Sequence, residues 1–284
     1  MPSTLVISVL GLLLLAQDQV EPAANELSRD EMQFLKDTVA GLKLYEPPNR
    51  NQPLAVTANP VLGPYNNTTG PSRFGATFLW LSGERPVGAV SISIRRNPSN
   101  PVFCECSSLW PRALECRRDG TLLWVPERAG VLEQRLSDAP APAESKARRL
   151  TQMRELARRF SVTTYRLEPE EANHLRLLTT PIYRFAAEDS GIVDGGVFAF
   201  ANATDPDSLL LLEAAREKPG MAAYWRYSLA RMSSQKAVVR LDEKEIWSVT
   251  NFHRELPEIR IKGPYIEQRI GSFAPPAPAA DALK

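Results

Sequence analysis

Two stretches of this chain, GATFLWLSGERP from Gly75 to Pro86 and GGVFAFANATDP from Gly195 to Pro206, follow one pattern. Each reads Gly, two residues, Phe, one residue, an aromatic, five residues and Pro. The offset of 120 between them holds at Gly75 and Gly195, Phe78 and Phe198, Trp80 and Phe200, and Pro86 and Pro206, and again at Ser108-Leu109 and Ser228-Leu229. Upstream it is 121, for Met32 and Met153, Leu35 and Leu156, Leu54 and Leu175, and Pro60 and Pro181; for Trp124 and Trp247 it is 123. A near-constant offset over this span predicts that one order of elements is written twice, which restricts the fold more than composition does.

The elements follow from periodicity. Ser28-Arg29-Asp30-Glu31 has the form of a capping box, and Met32, Leu35, Val39 and Leu42 recur at helical spacing, so a helix is expected over 29–42. Glu46-Pro47-Pro48 ends it. From Phe74 the period becomes two, and Ser82 to Pro86 turns the chain into a returning strand over 87–95. Strands over 103–109, 113–117 and 121–125 complete an antiparallel meander. The Ala/Pro-rich stretch 134–146 reads as a linker. A helix over 144–160 follows, with Leu150, Met153, Leu156, Ala157 and Phe160 on one side and Arg148, Arg149, Arg154, Arg158 and Arg159 on the other, which reads as a solvated face or, alternatively, a dock for an acidic partner or surface. A second meander runs through 196–200, 209–214, 224–231, 237–241 and 245–249. The unalternating Leu209–Leu212 reads as a strand covered on both faces.

The expected fold is therefore α+β, with two tandem units of helix plus antiparallel β-meander arising by internal duplication, packed as a pseudo-dimer or merged into one sheet or barrel. The units are 28–130 and 147–270, and 271–284 is a tail too poor in bulk to pack. Residues 1–16 read as a signal peptide: Leu5 to Leu15 is an eleven-residue apolar block, too short to span a bilayer, with Ala16 before the cut. The mature chain has no transmembrane segment, and its export is periplasmic or extracellular. A formal net charge of +1 argues against nucleic acid as partner.

The segments PIYRF, DGGVFAFANATDPDSLLLLEAA, YWRYSLARMSS, KAVVRL and IWSV, with FLWLSGERPVGAVSI, CSSL and WVP in the first half, resemble a family of exported proteins of unknown function from planctomycete bacteria. The resemblance implies export and a bacterial host, and supplies no catalytic residue.

Chemistry is sparse. The two histidines, His174 and His253, have no Cys, His or carboxylate at ligand spacing, and no Gly-x-Ser-x-Gly elbow or phosphate loop is present. No cofactor or metal site is read. Cys104 and Cys106 flank Glu105 on one expected strand and Cys116 lies on the next, as small buried residues, a disulfide involving Cys116, or a redox or metal site. Glu105, inside a strand between two cysteines, reads equally as a candidate functional carboxylate and as a solvent-facing strand residue. Glu188, Asp189, Asp194, Asp205, Asp207 and Glu213 cluster in sequence and are the carboxylates from which a hydrolase would draw. The candidate ligand site is a pair of arginines, Arg226 and Arg240, on adjacent expected strands, with Arg231 beside them, forked donors for an anionic group. The reading is an exported non-catalytic binding or structural module of the cell envelope, its partner a protein, small ligand or envelope component. The alternative is a secreted hydrolase with a dispersed carboxylate or serine site.

Overall fold

The computed structural model describes residues 27–67, 73–127, 134–167 and 171–275. The expected signal peptide and the tail beyond residue 275 lie outside them. Among the described residues strands dominate, at 50% against 16% helix, and all four sheets are antiparallel. Three α-helices are present, α1 (Arg29–Gly41), α2 (Lys146–Ala157) and α3 (Pro257–Lys262). Strands are numbered along the chain.

One six-stranded sheet holds β2 (Ala55–Val56), β3 (Leu62–Asn67), β4 (Arg73–Ser82), β5 (Arg85–Arg95), β6 (Pro101–Ser108) and β19 (Tyr265–Ser272), in the order β19-β6-β5-β4-β2 with β3 also on β4. The other holds β9 (Gln134–Arg135), β12 (Arg176–Leu177), β13 (Tyr183–Ala187), β14 (Ile192–Asn202), β15 (Asp205–Ala215) and β16 (Tyr224–Arg231), in the order β12-β14-β15-β16-β9 with β13 on β14. A three-stranded sheet of β1 (Leu42–Tyr45), β7 (Glu115–Arg118) and β8 (Thr121–Trp124) accompanies the first. A four-stranded one of β10 (Phe160–Tyr165), β11 (Ala172–His174), β17 (Lys236–Leu241) and β18 (Lys244–Val249) accompanies the second.

Strand alternation sorts the side chains into three cores. Leu79, Ala89 and Leu109 of the first six-stranded sheet meet Val197, Ala199, Leu209 and Leu211 of the second, so the two sheets pack face to face. Phe78, Trp80, Val90 and Ile92 point the other way, against Leu35 and Val39 of α1, Leu42 and Leu44 of β1 and Trp124 of β8. Phe198, Phe200, Leu210 and Leu212 likewise meet Met153 and Leu156 of α2 and Val239 of β17. Strands β5 and β15 sit in the middle of this stack, and every residue of β15 is buried.

The shared motif has local causes in both places. Gly75 faces Tyr65 across the β3–β4 ladder and Gly195 faces Phe185 across β13–β14. A Cβ at Gly75 would stand 2.6 Å from the Tyr65 hydroxyl and from Ile92 O, and one at Gly195 would stand 2.6 Å from the Phe185 ring. Each glycine makes room for an aromatic ring laid across it. At the far end, the register shifts after Trp80, so that Leu81 pairs with Pro86, and after Phe200, so that Ala201 pairs with Pro206. Both prolines sit at β-bulges, which relax the demand for a ladder N–H.

The structure overturns the tandem α+β helix-plus-meander expectation. The molecule is mostly β, because segments read as loop or helix end form strands: β1, β10 and β19. The proposed units are not self-contained either. Strand β19 follows all the strands of the second half yet pairs with β6 of the first sheet, while Gln134–Arg135, inside the expected linker, pairs with β16 of the second. Each six-stranded sheet is thus finished by a strand from beyond its own unit. Among the described residues, no helix is long and apolar enough to cross a membrane.

Candidate functional site

The two six-stranded sheets stack so that the open end of the β4–β5 hairpin lies at the turn end of the β14–β15 hairpin. At this rim charged side chains replace the apolar filling. Arg73 opens β4, and its guanidinium donates to Glu105 of β6 (Nη1 to Oε1, 2.9 Å) and to Glu267 of β19 (Nη2 to Oε1, 3.1 Å). Across the gap, β15 begins with Asp205, and Asp207 follows on the same side of the strand. Phe200 of β14 pairs with Ser208 and Ala201 with Pro206, so the bulge leaves Asp207 without a partner on β14. Bulges re-aim side chains, and this one turns a carboxylate into the space between the sheets.

That space is a cavity of about 120 Å³, lined by Arg73, Glu105, Asp205, Asp207, Arg95 and Gln235 among others. The loop after β16 floors it. Arg231, 5% exposed, holds this loop by donating to the carbonyl oxygens of Ser233, Gln235 and Thr250, and its guanidinium lies over the Tyr265 ring. Three buried polar atoms on the wall have no hydrogen-bond partner: Asp207 Oδ2, Gln235 Oε1 and Arg95 Nε. Buried polar atoms are paired in nearly all native structures, so such a group calls for an explanation.

Burial and mutual repulsion dominate the electrostatics. Burial, then the Glu267 charge, pushes the Glu105 carboxyl well above the usual range, against the pull of Arg73. Asp205 is raised well above its ordinary value by burial and then by Asp207. Asp207, 7% exposed, is pushed up to about 7 by burial and then by Glu105, although a hydrogen bond with Ser233 works the other way. Burial and then the neighbouring carboxylates also push the Tyr65 and Tyr265 hydroxyls well above their ordinary value. Burial alone would lower Arg73, but Glu105 and Glu267 raise it above its ordinary value. Arg231 is lowered by burial.

The opposite rim supplies a contrast. There Glu213 of β15, 1% exposed, accepts from Arg85 Nε of the first sheet at 3.0 Å and from Arg226 Nε at 2.7 Å. Two arginines clasp one carboxylate, and none of the three has a buried atom without a partner. The charged side chains between the layers are thus fully paired in this clasp and incompletely paired at the other rim.

No family model, curated protein or solved structure matches this chain. The site must be read from its own chemistry.

The residues singled out in the sequence are redistributed. Arg226 lies on β16 in a six-stranded sheet and Arg240 on β17 in the four-stranded one, so the expected shared arginine face is not formed. Strands β16 and β17 are consecutive in the chain but lie in different sheets. Arg226 is held by Glu213 and Arg231 by backbone oxygens, so both are structural. Of the acidic run, only Asp205 and Asp207 reach the cavity. Asp194 accepts from Arg149 of α2 and Arg184 of β13, which also corrects the solvated reading of Arg149. Glu105 is buried and ion-paired, and not solvent-facing. Cys116 lies on β7 of the three-stranded sheet, yet its thiol reaches across the core to Cys106 of β6. The three thiols are free and buried, with Cys104 and Cys106 sulfurs 3.2 Å apart. His174 shares a hydrogen bond with Thr163, and Nε2 of the exposed His253 lies 3.4 Å from Glu267. Among the described residues no three His, Cys, Asp or Glu side chains are arranged to hold a metal ion. Arg73, Glu267 and Gln235 gave no signal in the sequence, because nothing local ties residue 73 to residue 267.

Proposed function

We propose that this chain is an exported, non-catalytic binding module that takes a small polar head group in the cavity between its two central sheets. Export rests on the apolar block Leu5–Leu15 and the resemblance to exported planctomycete proteins. The binding reading rests on one observation: at the rim where Glu105, Asp205 and Asp207 converge, buried acceptor and donor atoms lack partners, whereas the charged clasp of Glu213, Arg85 and Arg226 at the opposite rim has no such atom. Size limits the ligand. Sites for drug-sized molecules run to about 300–1,000 Å³, so a cavity of about 120 Å³ encloses only a head group. A thermal-shift panel of polyols, amines and carboxylic acids tests the reading. At least one class raises the melting temperature of the native chain and does so less for Asp207→Asn; if none does, the reading fails.

A second reading, a hydrolase using carboxyl acid–base chemistry, is favoured by Asp207 titrating at about 7 beside a second buried carboxyl. Nitrophenyl esters and glycosides distinguish it. Turnover with a pH profile that Asp207→Asn abolishes would replace binding by catalysis.

A further inference from the structure

We infer that the cavity is an ammonium site: it takes the protonated primary amine of a small ligand, whose N–H donors reach Asp207 Oδ2, Gln235 Oε1 and the Asp205 carboxylate. This rests on the binding reading above and names its ligand class.

Hydrogen-bond character comes first. Two of the three partnerless atoms, Asp207 Oδ2 once that carboxyl is ionised and Gln235 Oε1, are acceptors. An ammonium carries three donors and no acceptor, so it satisfies both without bringing a lone pair against a carboxylate. A neutral hydroxyl has one donor, and an anion would meet Glu105, Asp205 and Asp207 at close range.

Charge points the same way. Four carboxylates gather here: Glu105 from β6, Glu267 from β19, and Asp205 and Asp207 from β15. Three arginines face them, Arg73 from β4, Arg95 from β5 and Arg231 from β16, which leaves one negative charge over when all are ionised. Arg73 is already shared between Glu105 and Glu267, and Arg231 is turned to three backbone carbonyls. The Arg95 guanidinium lies over the Phe103 ring. The remaining titratable groups facing the cluster are Tyr65 of β3, Tyr265 of β19 and the exposed His253; burial and nearby carboxylates keep the two hydroxyls protonated. With His253 neutral, one monovalent cation completes the set as the raised carboxyls ionise around it. A multivalent metal lacks a three-ligand cradle among the described residues.

Proton exchange accompanies binding. Without ligand, Asp207 holds a proton up to about neutral pH and burial beside Asp207 raises Asp205 as well; an arriving ammonium favours both carboxylates and releases the protons they hold. Affinity then rises with pH through the neutral range and levels off above it.

The test uses the full chain and three probes of nearly equal size: ethanolamine, ethylene glycol and glycolate. Calorimetry in buffers of different ionisation heat, at pH 5 and pH 8, reads affinity and proton release together. Ethanolamine is expected to bind, about tenfold or more tighter at pH 8 than at pH 5, because the ionised fraction of a group titrating near 7 rises steeply over that interval. Proton release accompanies it. Asp207→Asn and Gln235→Ala each weaken it about tenfold; the second sits half-buried on a loop and keeps the test open if the first perturbs folding. If ethylene glycol or glycolate binds as tightly and Asp207→Asn weakens that binding, the ammonium assignment falls and the binding reading stands. If none of the three binds, both fall.

Discussion

Gly75 and Gly195 show how single residues set the geometry of this molecule. Each lies under an aromatic ring from a neighbouring strand, with 2.6 Å to the atom a Cβ would meet. Since the obstacles at Gly75 include the backbone oxygen of Ile92, the site cannot simply move aside. Gly75→Ala and Gly195→Ala are each expected to destabilise the fold by about 1–3 kcal/mol, the usual cost of overpacking, read from urea denaturation. The motif that carries these glycines was legible in the sequence as a pattern of residue types. Its cause was not, because Tyr65 and Phe185 come from short strands whose sequences carry no strong period. Asp207 was harder still. As one Asp in a turn-rich acidic run it looked like a backbone residue, and only the bulge it occupies aims it inward.

At the scale of elements, β4 with its period of two and its return strand β5 were readable, as were β14, the doubly buried and unalternating Leu209–Leu212 run of β15, and helix α1 with its capping box. What alternation does not encode is which strand lies beside which. The arginine pair failed for that reason, since β16 and β17 follow one another in the chain but belong to different sheets. The contacts that do join elements are long-range, and the buried clasp of Glu213 by Arg85 and Arg226 ties β5 of one sheet to β15 and β16 of the other. Removing one member of a buried ionic group leaves the rest uncompensated, at about 3–5 kcal/mol. Glu213→Ala is accordingly expected to lower the unfolding free energy by an amount in that range, more than either glycine substitution, in the same urea experiment.

For the whole molecule, the exchange of edge strands makes the cores interdependent. Trp80 and Trp124 report on the first core and Trp225 on the second, while the layer between them is built from both sheets. Tryptophan fluorescence and far-ultraviolet circular dichroism are therefore expected to give coincident thermal transitions, the mark of a single cooperative unit. Two separated transitions would show that the halves unfold independently.

The place of β19 also carries a consequence in time. A ribosome releases the first half of the chain well before residues 265–272, so the edge of β6 stays open while everything between is made. The first sheet closes only when the last strand arrives.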